Sequence, residues 1–173
     1  MSLRINGGSG QRRFGTPEFP WVNVDRQERW SPEVLADIAS MPMFDDNSAD
    51  IIVYHHSAEH LTLDDSKSAF HEAWRVLKPG ESLLVFVPDL TALVQHWIEG
   101  KISDFIFTVN LHGAYQGDVL ADTHKWSWTK KTLKEHLLKS APWSRVIPFD
   151  WRPIPGADIA GRDFWIQAQE AIK

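Results

Sequence analysis

The sequence predicts an α/β domain. A mostly parallel sheet of about seven strands carries helices on its faces and is abbreviated in its N-terminal half. Three observations lead to this. Phe70, Ala73, Trp74 and Leu77 share one helical face at i, i+3, i+4 and i+7. Pro79 and Gly80 then stop that helix, because proline has no amide donor and glycine tolerates a left-handed exit. A consecutive apolar run from Leu83 to Val87 follows, the pattern of a strand buried on both faces of a parallel sheet. A helix delivered by a tight turn into such a strand is half of a βαβ unit.

Taken in order, the first strand is expected over 3–6, and Gly7-Gly8-Ser9-Gly10 turns directly after it. The second covers 21–25 and ends in Asp25; the third covers 34–38 and ends in Asp37-Ile38. Only ten residues separate Gly10 from Trp21, with Pro17 and Pro20 among them, and only eight separate Asp25 from Val34. A crossover helix needs about a dozen residues. Short, irregular crossovers and a thinly covered sheet face are expected there. A fourth strand at 49–54 precedes a helix at 65–77, and the fifth strand spans 82–88. In the next helix, 90–99, Leu90, Leu93, Val94, Trp97 and Ile98 form one apolar stripe, and Gly100 provides the exit. Helices at 102–110 and 130–138 and strands at 145–149 and 163–168 complete the series, the last strand running antiparallel. No repeat, low-complexity run or linker divides residues 1–173, which are expected to form a single domain.

The composition narrows the function. With 173 residues, a domain buries about 70% of its unfolded surface. No segment approaches the ~20 apolar residues of a membrane span, and the N-terminus has no apolar signal core. A cytoplasmic location is the expectation. The absence of cysteine excludes disulfides, thiolate metal sites and cysteine nucleophiles. A net charge of -5 argues against the basic surface of a nucleic-acid binder and favours small-molecule or protein substrates. The nine tryptophans are expected mostly in core and edge packing, with a minority lining a cleft. Oligomeric state is not legible.

Several segments carry chemistry. The glycine-rich turn after Asn6 lets backbone amides approach a ligand without an intervening Cβ, although alone it also fits a mobile N-terminus. Asp25 ends an apolar strand, where an acid in a doubly wound sheet accepts hydrogen bonds from ribose hydroxyls. His55-His56-Ser57-Ala58-Glu59-His60-Leu61 follows the fourth strand. Its His56 to His60 portion spells H-x-x-E-H, an inverted zinc-protease motif. That motif requires two histidines one turn apart on a helix and a further ligand. Here they directly follow a buried strand, and no metal is expected.

Arg75-Val76-Leu77-Lys78-Pro79-Gly80-Glu81 resembles the R-V-L-K-P-G-G turn of class I S-adenosylmethionine-dependent methyltransferases, the type 11 group in particular. The resemblance runs in order from Leu3 to about Leu138. It includes Met41-Pro42-Met43-Phe44, the H-x-L-E-H-L-like loop at His56, and the G-x-Q-x-D and D-x-H-K segments around 113–126. Arg12 and Glu81 replace family glycines, Ala58 replaces a leucine, and Ala141-Pro142-Trp143 stands where many relatives have A-G-F. The resemblance implies a Rossmann-like fold, S-adenosylmethionine as cofactor and S-adenosylhomocysteine as product; with the charge balance, a small-molecule acceptor is the expectation.

For the cofactor it implies Asn6, Gly8, Ser9 and Gly10 in the first turn, and Asp25 on the ribose. Asp37 and Ile38 would take the adenine, and His55 and His56 the methionine end. Asp37 also fits a plain turn cap. A nicotinamide dinucleotide is disfavoured, because G-x-G-x-x-G from Gly8 would place Arg13 at its third glycine. A nicotinamide-dependent reductase and a non-catalytic cofactor-binding or assembly module remain the alternatives. If the acceptor must lose a proton, His56, His60, Asp89, His112 and His124 are the candidate bases, led by His124 and Asp89. For any one histidine, simple packing is the competing reading. The Arg75–Glu81 turn enters the amino end of its strand. Ligands of open α/β sheets bind beyond the carboxyl ends, so that turn is expected to lie away from the chemistry.

Overall fold

A computed structural model of the chain describes residues 2–113, 123–159 and 166–173. Seven strands form one sheet: β1 (Arg4–Gly7), β2 (Val22–Asp25), β3 (Val34–Leu35), β4 (Ala49–His55), β5 (Leu77–Pro88), β6 (Arg145–Pro148) and β7 (Ile166–Ile172). Their order is β3-β2-β1-β4-β5-β7-β6, and only β7 runs antiparallel to its neighbours. The helices are α1 (Leu63–Val76), α2 (Leu90–Ile98), α3 (Asp104–His112) and α4 (Lys130–Ser140). The expected Rossmann-like sheet, with its last strand reversed, is present.

β5 shows why the apolar run was informative. Leu83, Val85 and Val87 join one hydrophobic cluster with Ile52 and Tyr54 of β4; Leu84 and Phe86 join the opposite one with Val53. A parallel strand hydrogen-bonded on both edges must fill both faces with apolar side chains. On the first face the cover is helical. Ala69, Phe70, Ala73 and Val76 of α1 pack beside Leu133 and Leu137 of α4. Thr62 caps α1 by accepting from the Asp65 amide, and Thr129 and Thr132 form a reciprocal cap on α4.

The second face lacks such helices near β1 and β4. Phe14 and Trp21, from the short β1–β2 crossover, pack there with Phe149 and Ile154 from the segment after β6. Trp21 Nε1 donates to the Pro155 carbonyl at 2.9 Å, and the Gly15 amide donates to Gly156 at 2.7 Å. Large rings thus cover the sheet where the connections are too short for helices. The β2–β3 crossover holds a single 3-10 turn at Glu28–Trp30.

Four expectations change in detail. β3 stops at Leu35 rather than 38, because Asp37 bridges Ser40 in a tight turn that its carboxylate stabilises by accepting from the Ala39 amide. The Pro79-Gly80 turn is a bulge within a longer strand. Leu77 already pairs with Ala49, the register resumes at Ser82 with Ile51, and Gly80 takes φ +85°. The third helix is shifted, starting at Asp104 with Ser103 as its cap and ending at His112. β7 extends to Ile172, whereas 163–165 lie outside the described residues, as do 114–122 of the resemblance. Among the described residues, no helix is long and apolar enough to cross a membrane.

Arg75 has a structural task at the amino edge of the sheet. Its guanidinium donates to both Glu72 oxygens at 2.8 Å, to the Phe44 carbonyl at 3.0 Å and to the Met41 carbonyl at 3.1 Å. Glu72 in turn accepts from the Met41 amide at 2.6 Å. The pair pins the 41–46 loop to α1. The Arg75 hydrogen bond outweighs burial and holds the Glu72 carboxyl below its ordinary range. A depressed carboxylate stabilises the fold above its unfolded pKa, and that contribution is lost as pH falls through the folded value. Arg75→Ala should therefore cost about 1–3 kcal/mol at neutral pH. Urea unfolding should also show a smaller further loss on acidification below about pH 5 than in the parent protein.

Candidate functional site

A cavity of about 390 Å³ opens at the carboxyl ends of the central strands. Gly8 and Gly10 border it from the turn after β1, Asp25 from the end of β2, Asp37 and Ile38 from the turn after β3, and His56 and Ser57 from the loop after β4. His60 lies farther along that loop, and Asn110 on α3 and His124 close the far side. This is the crevice where open α/β sheets bind ligands.

The glycine turn is built by backbone contacts. Both Gly8 and Ser9 amides donate to the Val24 carbonyl, at 2.8 and 3.1 Å. Gly8 has φ +67°, and a Cβ placed there would lie 2.5 Å from Ser57 Cβ. Only glycine allows that turn and the β4 loop to touch. The buried Asp25 carboxylate receives the Gly10 amide on Oδ2 and the Gln27 amide on Oδ1, each at 2.8 Å. Two amides orient it, and a carboxylate has roughly four lone-pair sites, so acceptor capacity remains toward the cavity.

Other expected cofactor residues have different tasks. Asn6 is buried away from the cavity lining; its Nδ2 donates to the Arg12 carbonyl and to Asn23 Oδ1, both at 2.8 Å. Asn23 also receives the Phe14 amide, so the two asparagines brace the first crossover. Ser9 and His55 likewise lie behind the lining, His55 among the rings of Phe14, His56 and Phe86. Asp89 accepts from the Thr91 amide at 3.1 Å and faces Lys130 at 3.7 Å. It is the cap of α2 and does not line this cavity.

His56 adopts φ +52°, an uncommon backbone for a non-glycine residue. This turn aims its Nδ1 at Glu59 Oε1, 3.0 Å away. Glu59 sits on the 3-10 turn Ala58–His60 and is 1% exposed. Burial pushes its carboxyl up, but the His56 hydrogen bond and the charges of His56, His60 and His124 prevail and hold it below the ordinary range. Burial draws His124 down from its ordinary value against the opposing pull of Glu59. His60 and His124 meet edge to face with ring centroids 4.8 Å apart. His124 Nδ1 donates to the Asn110 carbonyl at 2.9 Å, which leaves Nε2 as the basic nitrogen.

Sequence reasoning did not identify Trp30, Asn110 or Gln27 as site residues. Trp30 belongs to the one-turn helix after Asp25, and Asn110 arrives from α3 across the sheet edge. An aromatic soon after the strand-end acid was the available signal for Trp30; nothing local marked Asn110.

A family profile described as a methyltransferase domain matches residues 18–85. A search of curated proteins finds no significant match. Among solved structures, a Thermotoga maritima S-adenosylmethionine-dependent methyltransferase, described as a possible histamine N-methyltransferase, superimposes with a TM-score of 0.62 and 17% identity, covering 100% of this chain and 82% of its own. The Burkholderia thailandensis 1,6-didemethyltoxoflavin-N1-methyltransferase, with 1,6-didemethyltoxoflavin and S-adenosylhomocysteine bound, gives 0.60 and 15%, covering 99% and 71%. A putative methyltransferase from Haloferax volcanii, in complex with the activator Trm112, gives 0.61 and 13%, covering 99% and 82%. At these identities the structural likeness speaks for the fold. Residues 18–85 thus match a methyltransferase-domain profile, and the chain shares the fold of solved S-adenosylmethionine-dependent methyltransferases.

The two glycines of the turn should separate in their responses. Gly8→Ala adds both a contact too short to keep and an unfavourable φ, and should cost more than about 2 kcal/mol. Gly10 has φ +51° but open space around its missing Cβ. Gly10→Ala should cost only about 1 kcal/mol. Thermal unfolding of both variants checks the order.

Proposed function

We propose that this chain is a methyltransferase that binds S-adenosylmethionine in the cavity at the carboxyl edge of the sheet and methylates a small-molecule acceptor. The observation that carries the reading is the lining of that cavity: a glycine turn, the Asp25 carboxylate at the end of β2, the Asp37 carboxylate in the turn after β3, and no helix between β1 and β2. A nicotinamide dinucleotide needs a helix N-terminus for its pyrophosphate. The segment after β1 folds as irregular turns, which suits a ligand without phosphate.

In this reading Asp25 accepts from the ribose hydroxyls, held in place by the Gly10 and Gln27 amides. Asp37 accepts from the adenine amino group, and Ile38 packs along the ring. The strained His56 borders the methionine end. When bound, S-adenosylmethionine supplies a sulfonium methyl that an acceptor lone pair displaces in line. The chain contributes position and exclusion of water. His124, through its basic Nε2, takes the proton in this reading from an acceptor that must lose one. Asp89 has no part in proton transfer here, since its carboxylate serves the α2 cap.

Calorimetry with S-adenosylhomocysteine tests the reading. The intact chain should bind one equivalent, and Asp25→Ala should weaken binding about 10- to 100-fold, or 1.5–3 kcal/mol. No binding by folded protein would overturn the proposal. Tight binding without uptake of labelled methyl by any candidate acceptor would turn the reading toward a non-catalytic binding module.

A further inference from the structure

The loop after β4 and the segment entering α4 bring Glu59, His60 and His124 together, with one potential ligand atom from each within 4.8 Å of the others. The hydrogen-bond pattern makes this cluster unusual. His60 Nδ1 lies 3.2 Å from the Thr123 carbonyl and His124 Nδ1 lies 2.9 Å from the Asn110 carbonyl. A carbonyl only accepts, so both rings must donate from Nδ1. In the neutral tautomer each Nε2 then carries a lone pair.

Glu59 adds a third acceptor. Its Oε1 is engaged by His56, but Oε2 is buried without a partner, in a residue 1% exposed. An unpartnered buried carboxylate oxygen is costly. Here it stands beside two imidazoles that are already committed as donors elsewhere. With both imidazoles neutral, the group consists of acceptors with no donor among them, and such a group calls for a cation.

We infer that Glu59, His60 and His124 form a binding site for a divalent transition-metal ion, with zinc(II) as the simplest occupant, between the cofactor cavity and the small cavity under Trp126.

Two imidazoles and one carboxylate make an open ligand set, found in catalytic zinc sites and in the facial triads of other divalent metals. The outer contacts also fit. Each ligating imidazole donates its other nitrogen to a backbone carbonyl, and His56 holds the carboxylate from its far oxygen. Such partners fix the tautomer and ring orientation of metal ligands. Zinc bonds of about 2.1 Å bring ligand atoms to about 3.4 Å apart, so the cluster must close inward on binding. Neighbouring space is available, because His124 lines both cavities, His60 the larger and Glu59 the smaller.

The H-x-x-E-H stretch gave no reason to expect a metal, because its histidines directly follow a buried strand instead of lying on a helix, and such a motif also needs a further ligand. The fold supplies that ligand from His124, 64 residues beyond His60, and uses Glu59 and His60 rather than His56 and His60. Metal binding takes the Nε2 lone pair of His124, so an ion there and proton transfer by His124 exclude one another. The unused coordination positions would face an acceptor only if the methyltransferase reading holds. The metal site itself stands without it.

Zinc binding to the full chain, stripped with a chelator and titrated against a zinc-sensitive dye, tests the inference. One equivalent should bind at micromolar affinity or tighter. Glu59→Gln and His124→Ala should each weaken it at least 10-fold, while His71→Ala on the exposed face of α1 leaves it unchanged. Cobalt(II) in place of zinc should give visible d–d absorption that both site variants lose. Circular dichroism identifies any variant that has unfolded, and His60→Gln is the replacement. No stoichiometric binding, or binding that survives these substitutions, overturns the site. S-adenosylhomocysteine affinity measured on the same samples keeps the two proposals apart. Its presence without zinc binding sinks only the metal site, and zinc binding without it sinks only the methyltransferase reading.

Discussion

A parallel sheet cannot leave either face in water, and the first three strands of this chain are joined by segments too short to make helices. The rest of the structure depends on how that conflict is met. One face takes α1 and α4 in the ordinary way. The other takes Phe14 and Trp21 from the first crossover and Phe149 and Ile154 from the far end of the chain. Aromatic rings suit the task because each buries a large area from a small stretch of backbone. The backbone of these segments must still find partners, and it does so between segments: Gly15 donates to Gly156, and Trp21 to Pro155. Stability of the front half is thereby tied to residues more than 130 positions away.

The same economy shapes the cavity. With no helix after β1, its floor is a turn whose amides are consumed internally, by the Val24 carbonyl and the Asp25 carboxylate. Asp25 consequently has two connected roles. It closes the turn through Gly10, and it keeps acceptor capacity directed at whatever fills the cavity. A ligand that uses Asp25 therefore meets a carboxylate already oriented by two amides, so little ordering remains to be done on binding. The buried Asn6–Asn23 pair is the structural counterpart beneath it, holding the crossover from the opposite side of the turn.

What the sequence made legible follows from how local each signal was. The run from Leu83 to Val87 identified a buried central strand because its burial on both faces is written in consecutive residues. Asp25 was found from its strand end and Asp37 from the family resemblance, and both border the cavity. Asn6 lies behind the lining, bonded to Asn23 across a crossover that no local pattern describes. Asp89 followed a strand, as a site acid would, yet it also preceded the apolar stripe of α2, and the cap prevailed. The Pro79-Gly80 turn proved to be a bulge, with its register against β4 broken between Ala49 and Ile51 while Gly80 and Glu81 pair with Lys173. Asn110 and the company of Glu59 are products of the fold alone.

Glu59 shows how far the site departs from ordinary burial. A carboxylate removed from water must gain hydrogen bonds or opposite charge to remain ionised. Its backbone carbonyl already receives the Lys125 and Trp126 amides, which hold the segment entering α4 against the β4 loop. Replacing it with an apolar residue would keep that backbone contact and avoid the desolvation cost. The sequence nonetheless keeps an acid there, surrounded by three imidazoles, one of them held in a left-handed backbone conformation to reach it. Packing alone gives no reason for this arrangement. A site that must hold positive charge beside the cavity does, since His60 and His124 belong to both the cavity wall and the cluster.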